Sequence, residues 1–129
     1  MNIDKYFKDG AYIDEDGCHW DTALDFIQGH VLDLCCCGIP GENLKYVGRV
    51  LRHVNNLMRV WDDNDSYSYN DWKADGENIG SEQSLYFAYY VLDEKGFMEH
   101  GGSVPGWLTA EGIELLEDIE ELERRGELG

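Results

Sequence analysis

A chain of 129 residues with 43% hydrophobic content and a formal net charge of -17 has enough apolar material for one core without disulfide staples. Its charge repels DNA, RNA and anionic lipid, whose binders depend on cationic contacts, so direct nucleic-acid binding is disfavoured. No charged-then-apolar leader opens the chain and no apolar run approaches the roughly 18 residues of a membrane span. Four cysteines, three of them contiguous at 35–37, make a poor disulfide framework. The expectation is a single-domain cytoplasmic protein with no membrane contact.

Residues 1–20 mix aromatics with Asp-Gly and Asp-Glu-Asp-Gly turn signals and form an N-terminal arm, either a short hairpin or irregular. A helical pair follows over 21–61. Leu24, Ile27, Val31 and Leu34 set the period of the first helix, which stops at Gly-Ile-Pro-Gly, 38–41. Leu44, Val47, Val50, Leu51, Val54, Leu57, Met58 and Trp61 form the apolar stripe of the second, over about five turns. The opposite face carries a basic stripe, Lys45, Arg49, Arg52 and Arg59. Residues 62–80 lack a helical period and read as a long polar loop, a length of connection that is often functional.

Ser81 reads as the N-cap of a helix through the apolar run Leu85 to Leu92, stopped at Gly96. A turn-rich hairpin over 97–108 leads to Thr109, the N-cap of a last helix with Leu115, Leu116, Ile119 and Leu122 on one side. The predicted fold is therefore mainly α, of the α+β class, with about four helices and a β-hairpin before the last. Its last unit, 81–124, is helix, hairpin, helix.

The residues VLDEKGFMEHGG and GWLTAEGIELL give this unit a resemblance to the winged-helix domain of multiple-antibiotic-resistance-type regulators, spanning roughly residues 81–122. The resemblance implies a recognition helix running into a wing. Where those regulators carry Arg and Lys, this chain has Glu82, Asp93, Glu94, Glu99 and Glu111, with Lys95 the one base. The chain also resembles a group of small uncharacterised phage and prophage proteins, through CGIPGENLKYVGRVL and LDEKGFMEHGGSVPGWLTAEG. That resemblance implies a protein made in an infected bacterial cell and carries no established chemistry.

Three groups of side chains are candidates for partner binding. The acids Glu111, Glu114, Glu117, Asp118, Glu120 and Glu121 are dense enough to imitate a row of phosphates, though such a face is more commonly just solvated. The aromatics Tyr67, Tyr69 and Trp72 in a polar stretch suit an interface anchor, and equally suit packing back onto the helices. The basic stripe suits pairing with the chain's own acids or a partner's. Cys18, Cys35 and Cys37, with His19 and His30, supply soft metal ligands without a C-x2-C pair, so small buried side chains are the commoner reading and no cofactor is assigned.

No glycine-rich phosphate loop, G-x-S-x-G elbow or H-E-x-x-H pair is present, which argues against an enzyme. The leading expectation is an acidic protein that binds a basic protein partner, as a DNA mimic acting on a host nucleic-acid-binding or defence protein. The alternatives are a winged-helix regulator reading DNA as a dimer through the basic stripe, and a metal-binding module built on the cysteines.

Overall fold

The Asp-Gly signal at residues 9–10 becomes a two-residue turn with both φ angles positive, 54° and 84°, the geometry that matches the twist of the strands it joins. It connects β1 (Phe7–Lys8) to β2 (Ala11–Ile13), antiparallel, with Phe7 opposite Tyr12. A third short strand, β3 (His19–Trp20), continues the meander with Tyr12 opposite Trp20. The N-terminal arm is thus a small three-stranded sheet behind a 3-10 turn at Ile3–Tyr6. The computed structural model describes residues 3–31, 44–62, 66–102 and 106–127.

Thr22 caps the short α1 (Ala23–Asp25) by accepting from the Asp25 amide at 3.0 Å. The chain then widens into a π-helical segment, Phe26–Val31, that buries Phe26 and Ile27. Trp20 packs against Gly29, where a Cβ would come within 2.4 Å of its ring. The remainder of the expected first helix, with Cys35 and Cys37, lies outside the described residues.

Helix α2 (Leu44–Asn56) buries Leu44, Val47, Val50, Leu51 and Val54 as its stripe requires. The stripe does not continue as one face to Trp61. The chain tightens into a 3-10 turn at Leu57–Trp61, whose three-residue repeat sends Met58 and Trp61 together to solvent while Leu57 stays buried.

The expected polar loop over 62–80 is corrected by α3 (Tyr69–Glu77). Ser68 and Asp71 start it with a reciprocal capping box. Ser68 Oγ accepts from the Asp71 amide at 3.1 Å, and Asp71 Oδ2 accepts from the Ser68 amide at 3.0 Å. Two side-chain hydrogen bonds organise the first turn where no apolar stripe exists to do so.

Ser81 caps α4 (Glu82–Glu94), and the helix ends at Gly96 as expected. The Phe97 amide reaches back to the Leu92 carbonyl at 2.9 Å and the Gly96 amide to Asp93 at 3.1 Å, the paired closure that a C′ glycine at φ 82° permits. Strands β4 (Met98–Glu99) and β5 (Trp107–Leu108) pair antiparallel and lead into α5 (Ala110–Arg124). Thr109 locks that junction, accepting from the Gly112 amide at 3.1 Å and donating to the Gly96 carbonyl at 2.7 Å.

One apolar cluster joins the N-terminal sheet to α1, α2, α4, the hairpin and α5, including Phe26 and Ile27, the stripe of α2, Leu85, Ala88 and Leu92 of α4, Met98, Leu108, and Leu115, Ile119 and Leu122 of α5. α2 and α5 approach closely at Gly48, where a Cβ would stand 2.8 Å from Ile119 Cγ2. No described helix is long and apolar enough to cross a membrane.

Candidate interaction surface

Trp72, expected either as an interface anchor or packed back onto the helices, takes the second place and is only 4% exposed. Its indole N–H donates to the His53 carbonyl at 2.7 Å, in the last turn of α2. The His53 ring stacks on it at 4.2 Å and 9°, and Gly76 lets α3 close over His53, leaving 2.9 Å between Nε2 and an added Cβ. Trp72 therefore fastens α3 to α2. Tyr67 is also tied inward: its hydroxyl donates to Asp75 at 2.5 Å and the Arg59 guanidinium lies 4.4 Å over its ring. Burial and that Asp75 bond push the phenol up to about 12. Tyr69 is the member of this trio that presents an exposed ring.

Burial lowers the pKa of His53 from 6.5, with Asp75 pulling the other way. Below pH 6.5 the unfolded chain takes up a proton that the folded chain refuses, so stability falls with pH from there down to the lowered folded value. Chemical denaturation between roughly pH 5 and 7 is expected to show a steeper loss for the native chain than for His53→Phe, which keeps a ring on Trp72 and removes the titration. Parallel pH profiles would contradict this placement of His53.

The exposed aromatic surface lies elsewhere, on α4. Its apolar run suggests full burial, yet Tyr86, Phe87 and Tyr90 are 55%, 44% and 63% exposed. They share one side of the helix with Gln83 and Glu94, by the three- and four-residue spacing of helical neighbours. Leu85, Ala88, Tyr89 and Leu92 occupy the buried side. A contiguous apolar run hides this division, because every residue in it scores alike while a helix beside one core buries a single face. Trp107, exposed on β5, donates to Glu99 at 3.1 Å.

The acidic candidates separate. Glu111, Glu114 and Glu117 are exposed at three-residue intervals along α5. Glu120 and Glu121 are half-buried, and Glu121 holds Arg124 and Arg125, the latter at 3.1 Å. Asp118 is corrected from surface to interior. It is 7% exposed, because it stands three residues after Leu115 and four before Leu122, on the buried face. The basic stripe separates too: Arg52 reaches Glu123 at 3.6 Å, Arg59 covers Tyr67, and Arg49 is exposed.

Of the soft-ligand group, Cys18, His19 and His30 are described. Cys18 is exposed and unbridged, and its amide donates to Asp14 Oδ1 at 3.0 Å. The same oxygen accepts from Asp16 at 2.9 Å, and Oδ2 accepts from the Trp20 indole at 2.8 Å. The Trp20 bond holds the Asp14 carboxyl below its ordinary range, against its burial. His30 bridges two carboxylates, with Nε2 2.9 Å from Glu15 and Nδ1 3.3 Å from Asp14. Ligand atoms of Asp14, Asp16 and His30 do fall within 4.8 Å of one another. The Asp14 oxygens, however, are already bonded in a knot that ties the N-terminal sheet to the π segment.

Compared with known proteins, the chain matches no family model, no curated protein sequence and no solved structure.

Proposed function

We propose that the chain is a winged-helix-like interaction module that binds a basic protein, in the leading case a nucleic-acid-binding or defence protein of a bacterial host. The observation that carries this reading is the outer face of α4. In a winged-helix regulator the corresponding helix reads DNA with cations; here it offers Tyr86, Phe87 and Tyr90 to solvent. Aromatic side chains, tyrosine among them, are enriched among the residues that carry most of the binding energy at protein interfaces, and these three bring no positive charge to a phosphate backbone. Glu82 and Glu94 flank them on the same helix, and Glu111, Glu114 and Glu117 add an exposed acidic row on α5. With a net charge of -17, these acids steer a basic surface towards the aromatics.

The test is capture from nuclease-treated bacterial lysate by the native chain and by Tyr86→Ala/Phe87→Ala/Tyr90→Ala, whose exposed rings can be removed without opening the core. The native chain is expected to retain a basic protein that is released in high salt, and each lost aromatic anchor weakens that complex about tenfold or more. Equal capture by the triple variant, or tight duplex DNA binding by the native chain at physiological salt, would refute the reading.

A further inference from the structure

A cleft of about 180 Å³ opens between α3 and α4 beside the exposed face, lined by Tyr69, Trp72, Tyr86, Tyr89 and His53 together with Gly76 and Gly80. The volume is below the roughly 300 Å³ at which small-molecule sites begin, and suits one long side chain. Tyr86 and Tyr89 stand at 87° with ring centres 5.9 Å apart, so they form two walls of a corner. Tyr69 stacks at 5.6 Å on Trp72 and closes the α3 side. Glu77 and Glu82 sit at the rim with Lys73, so two carboxylates face one ammonium and the mouth is net negative.

We propose that this cleft receives one cationic side chain, the ammonium of a lysine or the guanidinium of an arginine, from the basic protein partner. Aromatic faces attract a cation through their quadrupoles, and the attraction strengthens as water is removed. Tyr89 and Trp72 are buried walls, and Tyr86 and Tyr69 are exposed enough to close on an entering chain. The charged head meets the aromatic faces inside the cleft, and the net-negative mouth draws the cation in and is crossed by its alkyl stem. The inference rests on the reading of the chain as a binder of basic proteins, and it makes the cleft the point where one residue of that partner anchors.

The test needs no partner. The intact chain is titrated with N-acetyl-lysine methylamide, N-acetyl-arginine methylamide and their neutral counterpart N-acetyl-norleucine methylamide, following the Trp72 indole and the Gly76 and Gly80 amides by NMR. The two cations are expected to shift these signals and norleucine to leave them in place. Tyr86→Leu weakens cation binding about fivefold while Tyr86→Phe preserves it, and Glu77→Gln/Glu82→Gln weakens it as raised salt does. Equal shifts from norleucine, no shift at these three reporters with either cation, or identical affinity in Tyr86→Leu and Tyr86→Phe would overturn the proposal. A failed lysate capture with a positive titration removes the partner reading alone, and the reverse removes the cleft alone.

Discussion

Trp72→Ala is expected to destabilise the chain by about 3–5 kcal/mol, the range for truncating a buried large aromatic. The indole is 4% exposed, stacks on His53 and bonds the His53 carbonyl. Its removal empties the seam between α2 and α3 and removes that hydrogen bond. Nothing else on α3 can compensate, since Trp72 and Gly76 are its buried residues. Trp72→Phe keeps a ring against His53 and loses the hydrogen bond, so its cost is smaller, with about 1 kcal/mol assigned to the bond. Urea denaturation followed by circular dichroism measures both. Native-like stability of Trp72→Ala would mean that α3 is not held against α2 by this side chain.

The second large effect has the opposite sign to the one helix propensity suggests. Alanine in place of glycine inside a helix ordinarily adds about 1 kcal/mol of stability. At Gly112, in the first turn of α5, the added Cβ would stand 1.9 Å from the Phe97 carbonyl oxygen. Backbone cannot swing aside as a side-chain tip can. That carbonyl also accepts from the Thr109 amide at 3.1 Å, so moving it disturbs the α5 cap and the start of the hairpin together. Gly112→Ala is expected to cost about 3 kcal/mol, the upper part of the usual range for forced overpacking. Thermal unfolding gives the answer, and a raised melting temperature would show that α5 does not lie this close to the hairpin.

The elements most legible in the sequence are those where a cap and a period coincide. Thr109 with the Leu115, Ile119, Leu122 spacing specifies α5, Ser81 with Gly96 brackets α4, and the stripe from Leu44 to Val54 specifies α2. Helix α3 escapes a search for apolar periodicity because its one large buried residue is Trp72. Its signal is the Ser68-x-x-Asp71 spacing, which a capping-box search finds without any stripe. Asp118 was legible as interior from the same period that marks Leu115 and Leu122, once position outranks residue type. The outward turn of Met58 and Trp61 was not legible, because it follows from a local change of winding at Leu57 that the apolar pattern does not encode.

The candidate surface was partly legible. The density of acid is visible in the composition, whereas the half-burial of Glu121 and its bonds depend on where Arg124 and Arg125 fold. The aromatic face of α4 and its cleft with α3 became visible only in three dimensions. One depends on which side of α4 meets the core, and the other on a helix that the apolar pattern does not announce.

Binding of the captured basic protein, measured by calorimetry across a salt series with the native chain and with Glu111→Lys/Glu114→Lys/Glu117→Lys, tests the central claim most directly. The predicted result is an affinity that falls steeply as salt rises, and a charge-reversed variant whose affinity at low salt is already reduced towards the native chain's at high salt. An affinity independent of salt and unchanged by the reversal would contradict recognition of a basic partner through this acidic surface.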